Sequence, residues 1–255
     1  PGLELVAGAG LAHLAGASAA LAGVLLLGPR RGKYGKDGSI HAIPGANLPL
    51  ATLGTFILWL GWFGFSGGSA LKIAGVAGAN AVAAIFVNTN LAAASGLLAA
   101  LILGRLLFGK ADLTLILNGA LAGLVAITAG PLMPSPQAAS LIGAAGGVLV
   151  VFAIISLDKL RLDDPVGAIS VHGVVGIWGL LAVPLTHAEA SLGAQLAGIG
   201  TILGWVLLSS LLIWFLLKAT LGLRVSEEAE WEGLDVSECG LAAYPEFISA
   251  KGSGL

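Results

Sequence analysis

Charge is what this chain has least of. Only 10% of its 255 residues are Asp, Glu, Lys or Arg, and 57% are hydrophobic. Soluble domains carry about 25% charged residues, so a soluble globular fold is excluded. The mean hydropathy of +0.96 points the same way. The composition predicts an all-α, polytopic membrane protein. A net charge of −2 removes the electrostatic basis for binding nucleic acid. The single cysteine, Cys239, excludes an internal disulfide and a cysteine metal cluster. Nor does any span carry a central lysine, which excludes a retinal-type Schiff-base pump. No nucleophile–base set and no cofactor motif stands out, so the sequence does not read as an enzyme, and no cofactor is expected. A basic segment leading into a short apolar core and a cleavage site is also missing. The chain opens abruptly on Pro1-Gly2-Leu3-Glu4, which reads as a cut rather than a natural start.

Glycine, by contrast, is abundant at 39 residues. Membrane helices pack through such small residues. A span needs about 20 mostly apolar residues. Seven are predicted, at roughly 5–28, 46–69, 77–107, 111–130, 137–157, 165–186 and 193–220. The third is long enough to tilt or to enter through a short outer turn. Arg30, Arg31, Lys33 and Lys36 follow span one, Arg105 and Lys110 span three, Lys159 and Arg161 span five, and Arg224 span seven. The other junctions hold Lys72, the neutral PLMPSPQ, and His187 with Glu189. Positive charge alternates strictly, which puts the N-terminus outside and the C-terminus in the cytoplasm. The loop GPRRGKYGKDGSIHAIPGANLP is then a turn-rich cytoplasmic connection. Residues 1–222 make the membrane domain and 223–255 a cytoplasmic tail, with Trp231, Leu234, Tyr244 and Phe247 expected to need burial.

Two histidines interrupt the apolar spans. His172 lies in DDPVGAISVHGVVGIWGLL, with Ala168, Gly176 and Gly179 at helical spacing. His13 lies in GAGLAHLAGASAALAG, with Ala9, Gly10, Gly16, Ala17 and Ala20 around it. At about 1.5 Å per residue, each sits about 10–13 Å inside its boundary, so both reach the midplane. Their helices run oppositely, as corresponding elements of an inverted repeat do. The bland alternative is two unrelated packing histidines. Ionisable groups in spans are costly, however, and mark pathways or relays. A zinc site lacks a third and fourth ligand.

GWFGFSGGSA ends span two at the outer face. An aromatic cluster there suits an interfacial belt, the reading preferred for Trp59. Phe65 and Ser69 are four apart on one face, where a ring and a hydroxyl acceptor together suit a small cation. Trp62 belongs to the same cluster. Asp164 reads as a helix cap, with Pro165 in the first turn. Asn88, Asn90, Asn118 and Thr128 read as interhelical hydrogen-bond groups.

These segments together resemble the ammonium transporter family. The matching stretches are GWFGFSGGSA, AIFVNTNLAAASG, NGALAGLVAITAG, DDPVGAISVHGVVGIWG and GLRVSEEAEWEGLDVSECGLAAYPEF. They run in the family's order over nearly the whole chain. The resemblance implies an inverted-repeat fold of about eleven spans, of which this chain holds the last seven. It implies a homotrimer in the plasma membrane, bacterial inner membrane by type, each subunit with its own narrow hydrophobic pore. It assigns His13 and His172 to a twin-histidine centre, Phe65 to an aromatic gate and Ser69 to an outer ammonium-recruiting site. Trp62 joins them along the pore. The implied substrate is ammonium or ammonia, with methylammonium a further candidate, and the tail is a region that PII-type signal proteins engage. The sequence departs from the family at Leu5, where an aspartate is usual, with Glu4 beside it. Two rivals stay open: an ammonium sensor signalling through the tail, and an inactive incomplete chain.

Overall fold

The computed structural model describes residues 9–245. Helices follow the apolar runs. A π-helical turn, Ala9–Leu14, leads into α1, Ala15–Leu27. Then come α2 (Leu48–Gly68), α3 (Gly75–Phe108), α4 (Leu113–Thr128) and α5 (Pro136–Lys159). A second π-helical turn, Ile169–Val174, leads into α6, Val175–Thr186. The long α7, Leu192–Thr220, precedes the six-residue α8 (Glu227–Glu232) and α9 (Leu234–Cys239). Each of the seven predicted spans corresponds to one apolar helix. Five are long enough to cross a membrane; Leu11–Leu27 and Leu113–Thr128 are shorter. The third span is one continuous helix of 34 residues, with no outer turn inside it.

Boundaries follow local chemistry. Asn47 caps α2 by accepting the Leu50 N–H at 2.8 Å, with Pro49 just inside. Asp112 accepts the N–H groups of Thr114 and Leu115 at the start of α4. Ser135 caps α5, followed at once by Pro136. Gly109 ends α3 in the left-handed conformation. The loop after α1 holds turns and one isolated antiparallel bridge, Tyr34 to Ile40.

The core lies where α3, α4 and α5 cross. α4 is its axis, with every residue from Ala122 to Thr128 buried. Glycine makes the crossing possible. A Cβ on Gly123 would lie 2.7 Å from the Ala92 carbonyl carbon and 2.9 Å from Ala93 Cα. One on Gly147 would lie 2.8 Å from Gly96 Cα. Lipid tails are as apolar as leucine, so helices here associate by close backbone contact rather than by escape from water. Polar groups tie one end of this bundle. Asn88 Nδ2 donates to the carbonyls of Pro131 and Pro134, both at 2.9 Å, pinning the α4–α5 turn to α3.

Three readings need correction. Asn118 donates to Thr114 of its own helix rather than across to another. Asn90 is exposed on α3. Asp164 does cap, but through a turn at Pro165 and Val166; it accepts the Ile169 and Ser170 N–H groups, so Pro165 lies before the helix. Gly167 permits that turn, at φ +76°, against Asn118.

The chain divides between Phe215 and Leu216. Beyond it, Ser226 caps α8, and Arg224 grips Glu230 with Nε at 2.9 Å from Oε2. Trp231 is 70% exposed and Leu234 46%, against the expectation of burial. Two six-residue helices offer no groove deep enough to cover them. Phe247, Glu4 and Leu5 lie outside the described residues.

Candidate functional site

Both histidines sit in π-helical turns, His13 in Ala9–Leu14 and His172 in Ile169–Val174. Such single turns are rare, and they recur at functional sites because the extra residue re-aims side chains. The rings meet: His13 Nδ1 lies 3.0 Å from His172 Nδ1, with centroids 5.0 Å apart and planes 25° apart. One Nδ1 must donate and the other accept. Two neutral rings joined this way therefore carry their remaining proton on different nitrogens. The contact also fixes helix direction. Arg30, just beyond the C-terminal end of α1, pairs with Asp163, just before the second π turn. Two contacts in that order make the histidine-bearing helices antiparallel, as an inverted repeat requires. They approach through small residues: a Cβ on Gly173 would lie 3.2 Å from Ala17 Cβ.

Trp62 stacks on His13, with centroids 5.2 Å apart and planes inclined by 14°. Phe65 lies 5.8 Å from the same ring and 5.9 Å from Trp62. Trp62 cannot swing freely, because its Nε1 donates to Thr128 Oγ1 at 2.9 Å, and Thr128 donates to the Leu124 carbonyl at 2.6 Å. Thr128 is thus the interhelical group expected, with a tryptophan of the site as its partner. Among the described residues, His13 Nε2 is buried and has no hydrogen-bond partner. A polar atom so placed, beside aromatic faces, is where a small solute able to hydrogen-bond would be held.

Ser69 stands one turn above Phe65 and donates its hydroxyl to the Phe65 carbonyl at 2.8 Å. Its lone pairs remain to accept. It is not part of the histidine cluster. It lines a cavity of about 310 Å³ behind α2, together with Ser66, Lys72 and Thr186. That cavity includes neither histidine nor Phe65, so it and the polar centre are separate places. Among the described residues no group of His, Cys, Asp and Glu is arranged to hold a metal ion.

The profile of the ammonium transporter family matches residues 3–244. The chain belongs to that family. It is 42% identical to "Ammonium transporter Amt2" of Archaeoglobus fulgidus over 96% of its length, and 36% identical to "Ammonium transporter Amt1" of Haloferax mediterranei over 96%. It covers 56% and 50% of those relatives, about half of each. Among solved structures, one described as "Sensor Amt Protein" superposes with a TM-score of 0.87 at 39% identity, over 93% of this chain and 60% of that one. Candida albicans Mep2 gives 0.77 at 28%, over 89% and 53%. The Archaeoglobus and Haloferax relatives are transport proteins by name, not enzymes. The family is a multi-pass membrane family, in keeping with the apolar helices.

What sequence reasoning missed is the polar network between the loop after α1 and the segment before the second π turn. Asp163 is 3% exposed and accepts from Arg30 Nε, Nη2 and backbone N–H at 2.8, 2.8 and 2.9 Å. Burial alone would raise the Asp163 pKa, but the Arg30 hydrogen bonds and the charges of Arg30 and Lys33 hold it below the ordinary value. The Asp163 bond to Arg30 raises the guanidinium in turn. Lys33 pairs with Asp158 at 2.9 Å, and the Tyr34 hydroxyl donates to Asp158 at 3.2 Å. Burial first, and then Asp158, lift the Tyr34 phenol to about 12. The signal was in the sequence, as basic residues after span one and acidic residues before span six. Nothing in the spacing pairs residues 133 positions apart.

Proposed function

We propose that the protein conducts ammonium across the membrane as ammonia, through a pore whose centre is His13 and His172. The observation that carries this is the joined imidazole pair beside Trp62 and Phe65, with His13 Nε2 left open. Ammonium is drawn to the Ser69 hydroxyl at the outer end. Taking a bare cation into hydrocarbon costs several kcal/mol or more, and neutral ammonia far less. Transfer of the proton to water at the mouth before Phe65, passage of ammonia, hydrogen bonding at the histidines and uptake of a proton from water on the far side therefore make the cheaper route. Potassium has no proton to lose, which accounts for selectivity. The N-terminus faces outward and the tail the cytoplasm, in a plasma membrane of bacterial inner-membrane type. Three copies assemble, each with its own pore, and PII-type signal proteins meet the tail. Radiolabelled methylammonium uptake in a transport-deficient host tests the reading; uptake no higher than that of the host alone would sink it.

Lys72 shares the Ser69 cavity and places a positive charge beside the proposed recruiting hydroxyl. Lys72→Gln should lower KM for methylammonium without changing the maximal rate. Two unit charges 4 Å apart in water repel by about 1 kcal/mol, so the gain is at most about five-fold. It should shrink as salt is raised. A KM that is unchanged at low ionic strength removes Lys72 from the capture step.

A sensor is the second reading, favoured by the 39% identical neighbour described as "Sensor Amt Protein". Deleting residues 225–255 separates the two. A transporter keeps flux, whereas a sensor loses signalling to its partner.

A further inference from the structure

The two histidine turns must be held in register along their axes for the Nδ1 atoms to meet at 3.0 Å. Packing contributes where Leu14 of the His13 turn meets Leu180 and Val183. At the closest approach, however, Ala17 faces Gly173, and such small side chains interlock little. A polar tie that fixes distance and angle adds what that part of the seam lacks.

The register is set at the cytoplasmic end. Gly28 closes α1, and Arg30 stands two residues beyond it. Its guanidinium and its own backbone N–H all converge on Asp163. The next residue turns the other way: Asp164 accepts the N–H of Ile169 at 3.1 Å, and the N–H and hydroxyl of Ser170 at 2.9 and 3.0 Å. Ser170 is two residues from His172. An unbroken chain of short polar links thus runs from the end of α1 to the turn that carries His172. Lys33 and Tyr34 on Asp158 brace the same loop from the side.

We propose that Arg30 and Asp163 are positioning residues that lock the axial register of the twin histidines. This rests on the reading of those histidines as the pore centre. A fork-on-carboxylate pair suits the task, because two parallel bonds fix distance and angle together. Exposed ion pairs are worth little, but this carboxylate is buried, so losing its partner leaves a charge with nowhere to go. Both groups stay charged across the neutral range, as the raised Arg30 and lowered Asp163 indicate.

The test uses the natural protein expressed from its own gene, with ¹⁵N-labelled histidine. Three quantities are read: folded protein in the membrane, methylammonium KM and maximal rate, and the ¹⁵N shifts of the paired histidines. Asp163→Asn should leave KM within about two-fold, lower the maximal rate per folded protein about 10- to 100-fold, and shift the histidine signals. Arg30→Lys keeps the charge and loses the fork. It should give a smaller loss with the same spectral change, and it carries the test if Asp163→Asn fails to accumulate. Wild-type histidine shifts in both variants would overturn the proposal, as would a loss of rate that only tracks lost protein. The spectral readout does not depend on transport. If His172→Ala transports normally while Asp163→Asn still shifts the histidine signals, the pore reading has failed and the register assignment has not.

Discussion

Replacing His172 with alanine is expected to cut methylammonium uptake at least about 100-fold, or to admit potassium, while leaving the protein in the membrane. The imidazole is half-buried, and its Nδ1 bond to His13 is the polar contact made at this depth. Without it, His13 loses a hydrogen-bond partner and, on the proposed route, ammonia loses its polar resting place between hydrocarbon walls. A group that fixes reacting or translocated atoms supplies factors of this size, since a misplacement of about 1 Å costs about 100-fold. The backbone should tolerate the change, because Gly173 and Ser170, not the ring, pack the turn. Uptake kinetics and a potassium competition assay on membrane-normalised protein decide it. Wild-type flux with wild-type selectivity in His172→Ala would remove the histidine pair from the pathway. His172→Glu is the informative companion: an acidic group at this point should favour a cation and so loosen discrimination against potassium.

Gly123→Val is expected to abolish folded protein rather than merely slow transport. A Cβ at Gly123 meets the Ala92 carbonyl group and Ala93 Cα, all of it backbone in another helix. Backbone cannot turn aside as a flexible side chain can. Overpacking a core usually costs about 1–3 kcal/mol, and a rigid crossing should exceed that. Values above about 4 kcal/mol are diagnostic of such a mechanism. Membrane abundance and detergent melting of Gly123→Val should both collapse. Gly16→Ala is the control, because a Cβ there meets nothing within 4 Å. Comparable loss from both would mean that glycine content, not the crossing, sets stability.

Much of this was legible in the sequence, for physical reasons. Hydrocarbon imposes long apolar helices, so seven runs gave seven helices. A buried imidazole is expensive, so His13 and His172 stood out against leucine and alanine. Phe65 came to lie beside His13 because an i, i+3 pair of aromatics, Trp62 and Phe65, shares one helix face. The small-residue stripe was legible too: Gly179 meets another backbone, that of α4 at Val125 and Ala126. Asp163 was passed over because its partner lies far along the chain and its burial needed the folded loop. Capping by Asp164, by contrast, was legible from nearby residues, although Pro165 proved to precede the helix rather than begin it.

The shortness of α4 has an electrical consequence. Sixteen residues extend about 24 Å, less than the roughly 30 Å of hydrocarbon around them. Unpaired N–H and C=O groups at its two ends demand partners. At its C-terminal end, Ala129, Gly130 and Pro131 border the 310 Å³ cavity. Transmembrane voltage drops mainly across the dry layer. If that layer is as thin as α4, the same voltage produces a field about one quarter steeper here than in the surrounding bilayer. Any proton displaced near the midplane would therefore feel the membrane potential more strongly per ångström than the lipid thickness suggests.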